Sequence, residues 1–118
     1  MPNLIGTVIF IDLRNLETII LESPVFREPF SFNVLTGSLE VGYIDAGSGC
    51  LYYILDSTYD QQFFAINKET GFLEFTIKPD IDNPVDEDGN NIYEFVVSAH
   101  LNGYIQTREI RVTVIKLK

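Results

Sequence analysis

The stretch that decides the fold is YEFVVSAHLNGYIQTREIRVTVIK, residues 93–116. Its first half places an apolar or aromatic residue at every second position: Tyr93, Phe95, Val97 and Ala99. Its second half does the same with Ile110, Val112 and Val114. A period of two is typical of a strand that buries one face, and the Asn-Gly pair at 102–103 is a strong signal for a two-residue hairpin turn. The stretch therefore predicts two antiparallel strands with one face in a core.

The rest of the chain carries the same kind of signal. Seven further segments are rich in β-branched or aromatic residues, which favours strands: GTVIFID at 6–12, TIIL at 18–21, FSFNV at 30–34, EVGYI at 40–44, LYYIL at 51–55, FFAI at 63–66 and FLEFTI at 72–77. The turn signal NKETG at 67–71 separates two of them, and no window shows a helical stripe. Strands at this spacing predict an all-β, antiparallel Greek-key β-sandwich.

Composition limits the classes of function. The 118 residues suit one domain spanning 1–118, and an apolar fraction of 46% indicates a packed core. A net charge of -9 argues against nucleic acid and anionic lipid as partners. The single cysteine, Cys50, cannot close an internal disulfide or build a zinc motif. No Sec signal peptide is visible, and no apolar run is long enough to span a bilayer, so we expect no membrane insertion.

Three segments in order resemble a known family. They are FFAINKETGFLEF from Phe63, PDIDNPVDEDGNNIYEFVVSAHLNG from Pro79, and the closing EIRVTVIK. This order is similar to that of cadherin-type domains, particularly bacterial cadherin-like ones, which read Phe-x-Ile, a Thr-Gly turn, Leu or Pro-Asp-x-Glu, then Tyr-x-x-x-Val-x-Ala. The match is clearest over residues 63–114. It implies a cadherin/immunoglobulin-like sandwich.

The acidic stretch PDIDNPVDEDGNN, residues 79–91, places five acids between Asp80 and Asp88 with no Lys or Arg among them. A solvated loop and a cation site both explain it, because salt screens a surface cluster even when no cation is bound. The resemblance implies calcium, which takes six to eight oxygen ligands. Asp80 and Asp82 match the family's acid pair, and Glu22 in LESPV matches an early glutamate. The D-x-D-G-N pattern adds Asp86 and Asp88 as candidate ligands. The predicted ligands are Glu22, Asp80, Asp82, Asp86 and Asp88.

Two departures separate this chain from the calcium-binding pattern of the family. His100 stands where the family commonly carries Asp, and Tyr43 replaces one acid of the Asp-x-Asp pair that ends at Asp45. Any calcium site is therefore expected to be local to the acidic stretch.

Catalysis has little support in the sequence. His100 is the only histidine, and no motif places a nucleophile beside it; we interpret it as a turn or strand-end residue. The aromatic pairs at 52–53 and 63–64 are candidates for stacking on sugar rings, although ordinary burial statistics favour one ring in the core and one in a second packing layer or interface. We expect a binding protein, not an enzyme.

Two functions stay open. The first is a structural module of a larger extracellular or virion assembly, such as a capsid, tail or surface layer, which binds other protein subunits as a homo-oligomer or in a heterologous assembly. The segments 4–11 and 115–117 are its predicted contacts, because Ile115 and Leu117 alternate away from the core face and the first segment is apolar on both faces. The alternative is a calcium-dependent adhesion module that binds a protein or a glycan at a cell surface.

Overall fold

A computed structural model describes residues 7–12 and 17–117, with the backbone alone for 7–12 and 17–20. A short 3-10 helix, Gln61–Phe63, lies between the fifth and sixth strands. The nine strands are β1 (Thr7–Asp12), β2 (Glu17–Glu22), β3 (Ser31–Leu35), β4 (Glu40–Tyr43), β5 (Leu51–Ile54), β6 (Phe64–Ile66), β7 (Phe72–Phe75), β8 (Ile92–Leu101) and β9 (Tyr104–Ile115).

The strands form a β-sandwich, as the sequence predicts. One sheet has the order β3-β9-β8-β5 and the other has the order β4-β7-β6. Strands β1 and β2 pair with each other in a separate antiparallel two-stranded sheet. In the part of the chain that the structure describes, no helix is long and apolar enough to span a membrane.

The β8–β9 hairpin has the predicted register. Tyr93 pairs with Val112 and Phe95 with Ile110, so the alternating apolar residues of both strands share one face. Asn102 and Gly103 both have positive φ, 52° and 82°, which matches the two-residue turn expected for Asn-Gly.

One strand pair differs from the antiparallel prediction. β3 runs parallel to β9, with Ser31 opposite Arg111 and Leu35 opposite Ile115. Parallel neighbours need a long crossover, and most of the chain lies between these two strands. The alternation of apolar residues specifies which face of a strand is buried but not its direction, so the sequence left this pairing undetermined.

The core lies between the two sheets. All seven residues that the alternation of β8 and β9 predicts to face inward are buried: Tyr93, Phe95, Val97, Ala99, Ile110, Val112 and Val114. The rings of Phe64 and Phe95 join the sheets, stacked with their centroids 4.3 Å apart. Within the predicted aromatic pairs, Tyr52 and Phe64 are buried, whereas Tyr53 is exposed and Phe63 packs at the edge of the core.

The turn at 67–71 is fixed by its final glycine. Gly71 has a φ of 76°, and a Cβ at this position would collide with the carbonyl oxygen of Ile44. The carbonyl of Gly71 accepts a hydrogen bond from the N–H of Ile44, with nitrogen and oxygen 2.9 Å apart. The turn is therefore held tightly against the start of the β4–β5 connection, where it forms one side of a hollow described below.

Candidate functional site

The acidic stretch folds into an ordered loop around Asp86. This carboxylate is only 5% exposed, and its two oxygens accept the backbone N–H groups of Asn90 and Asn91 at 2.9 and 3.0 Å. Asp88 lies beside it and accepts the side-chain amide of Asn90 at 3.1 Å. The first role of Asp86 is therefore to hold the loop together, because a carboxylate that accepts two N–H bonds stabilises a turn.

A second buried carboxylate, Asp60, ties this loop to the sandwich. Asp60 is 3% exposed, and its oxygens accept the N–H of Glu87 at 2.7 Å and that of Glu94 at 2.9 Å. No sequence pattern predicts this residue as part of the site, because it lies outside the acidic stretch and follows no family position. The only available signal was an acid placed next to a predicted buried strand.

The remaining predicted acids lie at the other end of the loop. Asp80 accepts the N–H of Asp82 and the side-chain amide of Asn83, at 3.0 and 2.9 Å. Asp82 lies 3.9 Å from the ammonium of Lys116, just after β9. Asp80 and Asp82 are therefore neighbours, and both are exposed on the surface.

Glu22 does not lie with the other predicted ligands. Its carbonyl accepts the amide of Asn102, immediately before β9, whereas Asp82 lies beside Lys116, immediately after it. β9 has 12 residues, so these two ends are roughly 30 to 40 Å apart. A side chain that the fold does bring to this stretch is that of Thr36, just after β3, whose hydroxyl donates to the carbonyl of Pro79.

The five predicted residues thus do not form one calcium ligand set. Among residues 21–117, no three His, Cys, Asp or Glu side chains are grouped so that they could hold a metal ion. One oxygen in the loop is a suitable calcium ligand. It is the side-chain oxygen of Asn91, which is buried and has no hydrogen-bond partner. Its amide nitrogen donates to the Ile81 carbonyl at 3.0 Å, which places it between the two halves of the acidic stretch.

The two halves differ electrostatically. The Asn83 amide and the Asp82 N–H, helped by Lys116, hold the pKa of the Asp80 carboxyl below its usual value. The hydrogen bond and negative charge of Asp86 raise the pKa of Asp88. Asp80 is thus stabilised as an anion, whereas ionised Asp88 is repelled by its neighbour.

Solved structures with the same arrangement of strands are consistently cadherin repeats. A human protocadherin-24 EC1-2 structure superposes with a TM-score of 0.63 at 16% identity, covering 78% of this chain and 43% of that one. A Drosophila N-cadherin EC1-3 structure superposes with a TM-score of 0.61 at 14% identity, covering 86% of this chain and 38% of that one. A structure of protocadherin gamma B2 extracellular cadherin domains 3-6 superposes with a TM-score of 0.60 at 18% identity, covering 78% of this chain and 22% of that one.

The fold is that of a cadherin extracellular domain. At these identities the likeness concerns the fold alone, and the chain spans less than half the length of each of these three structures. No family model matches the sequence, and no curated protein matches it either. The cadherin-like fold is therefore established by the structure, whereas the activity has to be argued from this chain's own residues.

His100 of the cadherin-like domain has a hydroxyl neighbour that the sequence analysis did not identify. Its Nε2 lies 3.1 Å from the Oγ of Ser98, and its ring meets Tyr53 edge-on with centroids 4.9 Å apart. Ser98, however, is 1% exposed, so a substrate could not reach the hydroxyl. The Ser98–His100 contact and the His100–Tyr53 ring contact therefore have a structural role on the outer face of the sheet.

The outer face of the four-stranded sheet carries exposed apolar residues at both ends. At one end lies the outer row, Leu51, Tyr53 and Ile105: Leu51 of β5 and Ile105 of β9 both pair with His100 of β8, and Tyr53 lies two residues from Leu51 on β5. At the other end, Leu35 pairs with Ile115. Of these, Ile105 is 58% exposed. An ion pair of Glu94 and Arg111, 3.4 Å apart, lies between the two ends.

The predicted contact segments have different outcomes. Ile115 and Leu117 are exposed, as predicted from their alternation away from the core face. Residues 4–6 lie outside the described residues, and for residues 7–11 the side chains do too.

Proposed function

We propose that this protein is an extracellular, non-enzymatic interaction module that assembles with other copies of itself. The observation that carries the proposal is the row of Leu51, Tyr53 and Ile105 on the outer face of a cadherin-like sheet. In a sandwich the outer face normally meets water, and clustered exposed apolar residues there mark sites of protein contact.

The two ends of the face suit separate contacts. The outer row and the Leu35–Ile115 pair are ten residues apart along β9, roughly 30 Å, with charged residues between them. A module with two apolar ends can contact a neighbour at each end, as a building block in a chain or layer must. The finer form of the proposal is therefore a component of a virion or a surface layer.

Light scattering on purified protein tests the assembly. We expect a mass above that of the 13.4 kDa chain, and we expect Ile105→Arg to lower it, because a charge would be buried in the contact. Ile77→Arg is the matched control, since Ile77 is an equally large exposed residue that follows β7, a strand of the other sheet. A wild-type protein that is monomeric at every concentration would refute self-assembly, and an Ile105→Arg variant that assembles normally would move the contact elsewhere.

Calcium-dependent adhesion to a protein or a glycan is the second candidate, favoured by the buried unpaired oxygen of Asn91 within the acidic loop. Calcium stays a prediction at Asp80, Asp82, Asp86 and Asp88, without Glu22. A cation bound only by the folded state stabilises it by about 2.7 kcal/mol at a hundredfold excess over its dissociation constant. Melting in calcium, in magnesium and in chelator measures this effect. If the three melting curves coincide, and if they also coincide for the double variant Asp80→Asn, Asp82→Asn, the loop binds no calcium and its exposed acids are only solvated.

A further inference from the structure

At the end of the sandwich nearest the β8–β9 turn, a hollow opens between the end of β4, the loop 45–50 and the turn 67–71. Its volume is about 600 Å³, which lies within the range of small-molecule sites. This hollow lies away from the acidic loop, and neither the calcium prediction nor the assembly proposal uses it.

One side of the hollow is an aromatic platform. Tyr43 is 61% exposed, and its ring contacts that of Phe72, its cross-strand partner on β7, with centroids 5.2 Å apart and the ring planes tilted by 57°. An exposed aromatic ring held in place offers a flat surface with a negative face. The C–H groups on one side of a pyranose ring are apolar and slightly positive, so they pack well on such a surface.

The rest of the lining supplies donors and acceptors together. Arg27 and Asp45 form an exposed ion pair, 3.6 Å apart, and Glu69 lines the same hollow. A guanidinium only donates hydrogen bonds and a carboxylate only accepts them, whereas each sugar hydroxyl does both. Two neighbouring hydroxyls can therefore satisfy both kinds of group. An anionic ligand would meet two carboxylates for one cation, and a purely apolar ligand would leave all three groups desolvated without partners.

Hydrogen bonds hold the loop backbone that carries the polar groups of the hollow. Asp45 accepts the N–H of Gly47 at 2.9 Å, and the hydroxyl of Tyr52 accepts that of Ala46 at 2.8 Å. Across the hollow, Asn67 accepts the N–H groups of Glu69 and Thr70, both at 2.9 Å. A preorganised site spends little free energy on ordering its loops when it binds.

We propose that this hollow is a binding site for a neutral sugar ring, stacked on Tyr43 and hydrogen-bonded to Arg27, Asp45 and Glu69. The site goes beyond the assembly proposal and does not depend on it. A glycan on a partner or on a cell surface reaches it from solvent, because Tyr43, Arg27 and Asp45 are all exposed.

The test is an NMR titration of the whole chain with glucose, galactose, mannose and N-acetylglucosamine, and with sialic acid as an anionic comparison. We expect saturable shifts of backbone amides in 43–49 and 67–71 with at least one neutral sugar, at a dissociation constant in the millimolar range, about 1 to 10 mM. Tyr43→Ala should weaken that binding threefold to tenfold, the range expected for loss of one aromatic stacking contact, whereas Tyr43→Phe should keep it.

Tyr59→Ala is the control, because Tyr59 is equally exposed but lies beside the acidic loop. The amide spectrum shows directly whether each variant is folded. Absence of saturable shifts up to ~100 mM of every sugar, shifts confined to residues outside the hollow, or unchanged binding by Tyr43→Ala would overturn the proposal. A preference for sialic acid over all neutral sugars would overturn the assignment to a neutral ring. None of these outcomes affects the light-scattering result, so the two proposals can fail separately.

Discussion

At the scale of single residues, the acidic loop depends on two buried carboxylates with different partners. Asp86 closes the loop on itself, and Asp60 connects the loop to β8. The sequence marked Asp86 as a metal ligand because it stands in a dense acidic pattern, but the fold uses its oxygens to accept backbone N–H groups. Pattern alone cannot separate these roles, since both need an anionic oxygen in a tight turn.

Asp60→Asn should destabilise the protein strongly. An amide has one acceptor oxygen, so its NH₂ group would face the N–H of Glu87 or Glu94 and leave a buried donor unpaired. The expected cost is about 1 to 3 kcal/mol in the free energy of unfolding, measured by urea denaturation. Asp56→Asn, which changes an exposed acid nearby, is the control and should be close to neutral. Equal stability of the two variants would show that the Asp60 bonds contribute nothing.

The opposite pKa shifts of Asp80 and Asp88 predict opposite mutational effects at neutral pH. The folded state favours ionised Asp80, so Asp80→Asn should lower the melting temperature; it disfavours ionised Asp88, so Asp88→Asn should raise it.

The pH dependence of these effects follows from the two shifts. The Asp80 contribution is present above about pH 4 and is lost as pH falls through its lowered pKa. Asp88 does not oppose folding below about pH 4, and its destabilising effect appears as pH rises through its raised pKa. Melting scans between pH 3 and pH 7 should therefore show both differences shrinking toward acid. Effects of the same sign for both variants would contradict the electrostatic account.

At the scale of elements, the β8–β9 hairpin is the part that the sequence predicts best. Alternation specifies the buried face, and Asn102–Gly103 specifies the turn, so two independent local signals set one register. The parallel pairing of β3 with β9 was not predicted, because it depends on contacts between distant parts of the chain. The same reason explains why Glu22 was grouped with acids at the opposite end of the sandwich.

Phe95→Ala should cost roughly 3 to 5 kcal/mol of stability, because Phe95 is fully buried and stacks on Phe64 across the core. Glu94→Ala changes the outer face of the same strand and removes one partly exposed ion pair with Arg111, so it should cost at most about 1 kcal/mol. Denaturant titration of both variants checks the difference. Similar losses at the two positions would mean that the register is wrong.

At the scale of the whole molecule, the cadherin-like sandwich was predictable because every local signal agrees with it: alternation, turn residues and an ordered set of motifs. The surface was less predictable. The hollow around Tyr43 and the apolar row of Leu51, Tyr53 and Ile105 each combine residues from two or three elements, and no spacing in the sequence reveals that they meet. Both proposed binding surfaces therefore depend on how the sheets and loops are assembled.

We propose above that copies of this chain meet through the outer sheet face. Hydroxyl-radical labelling at increasing protein concentration measures this directly, because it reports the solvent exposure of each side chain. We predict that labelling of Tyr53 and Ile105 falls as the protein assembles, while labelling of exposed Tyr59, which lies away from that row, stays constant. Unchanged labelling of Tyr53 and Ile105 in an assembled sample, or protection that is equal at all three residues, would contradict the claim.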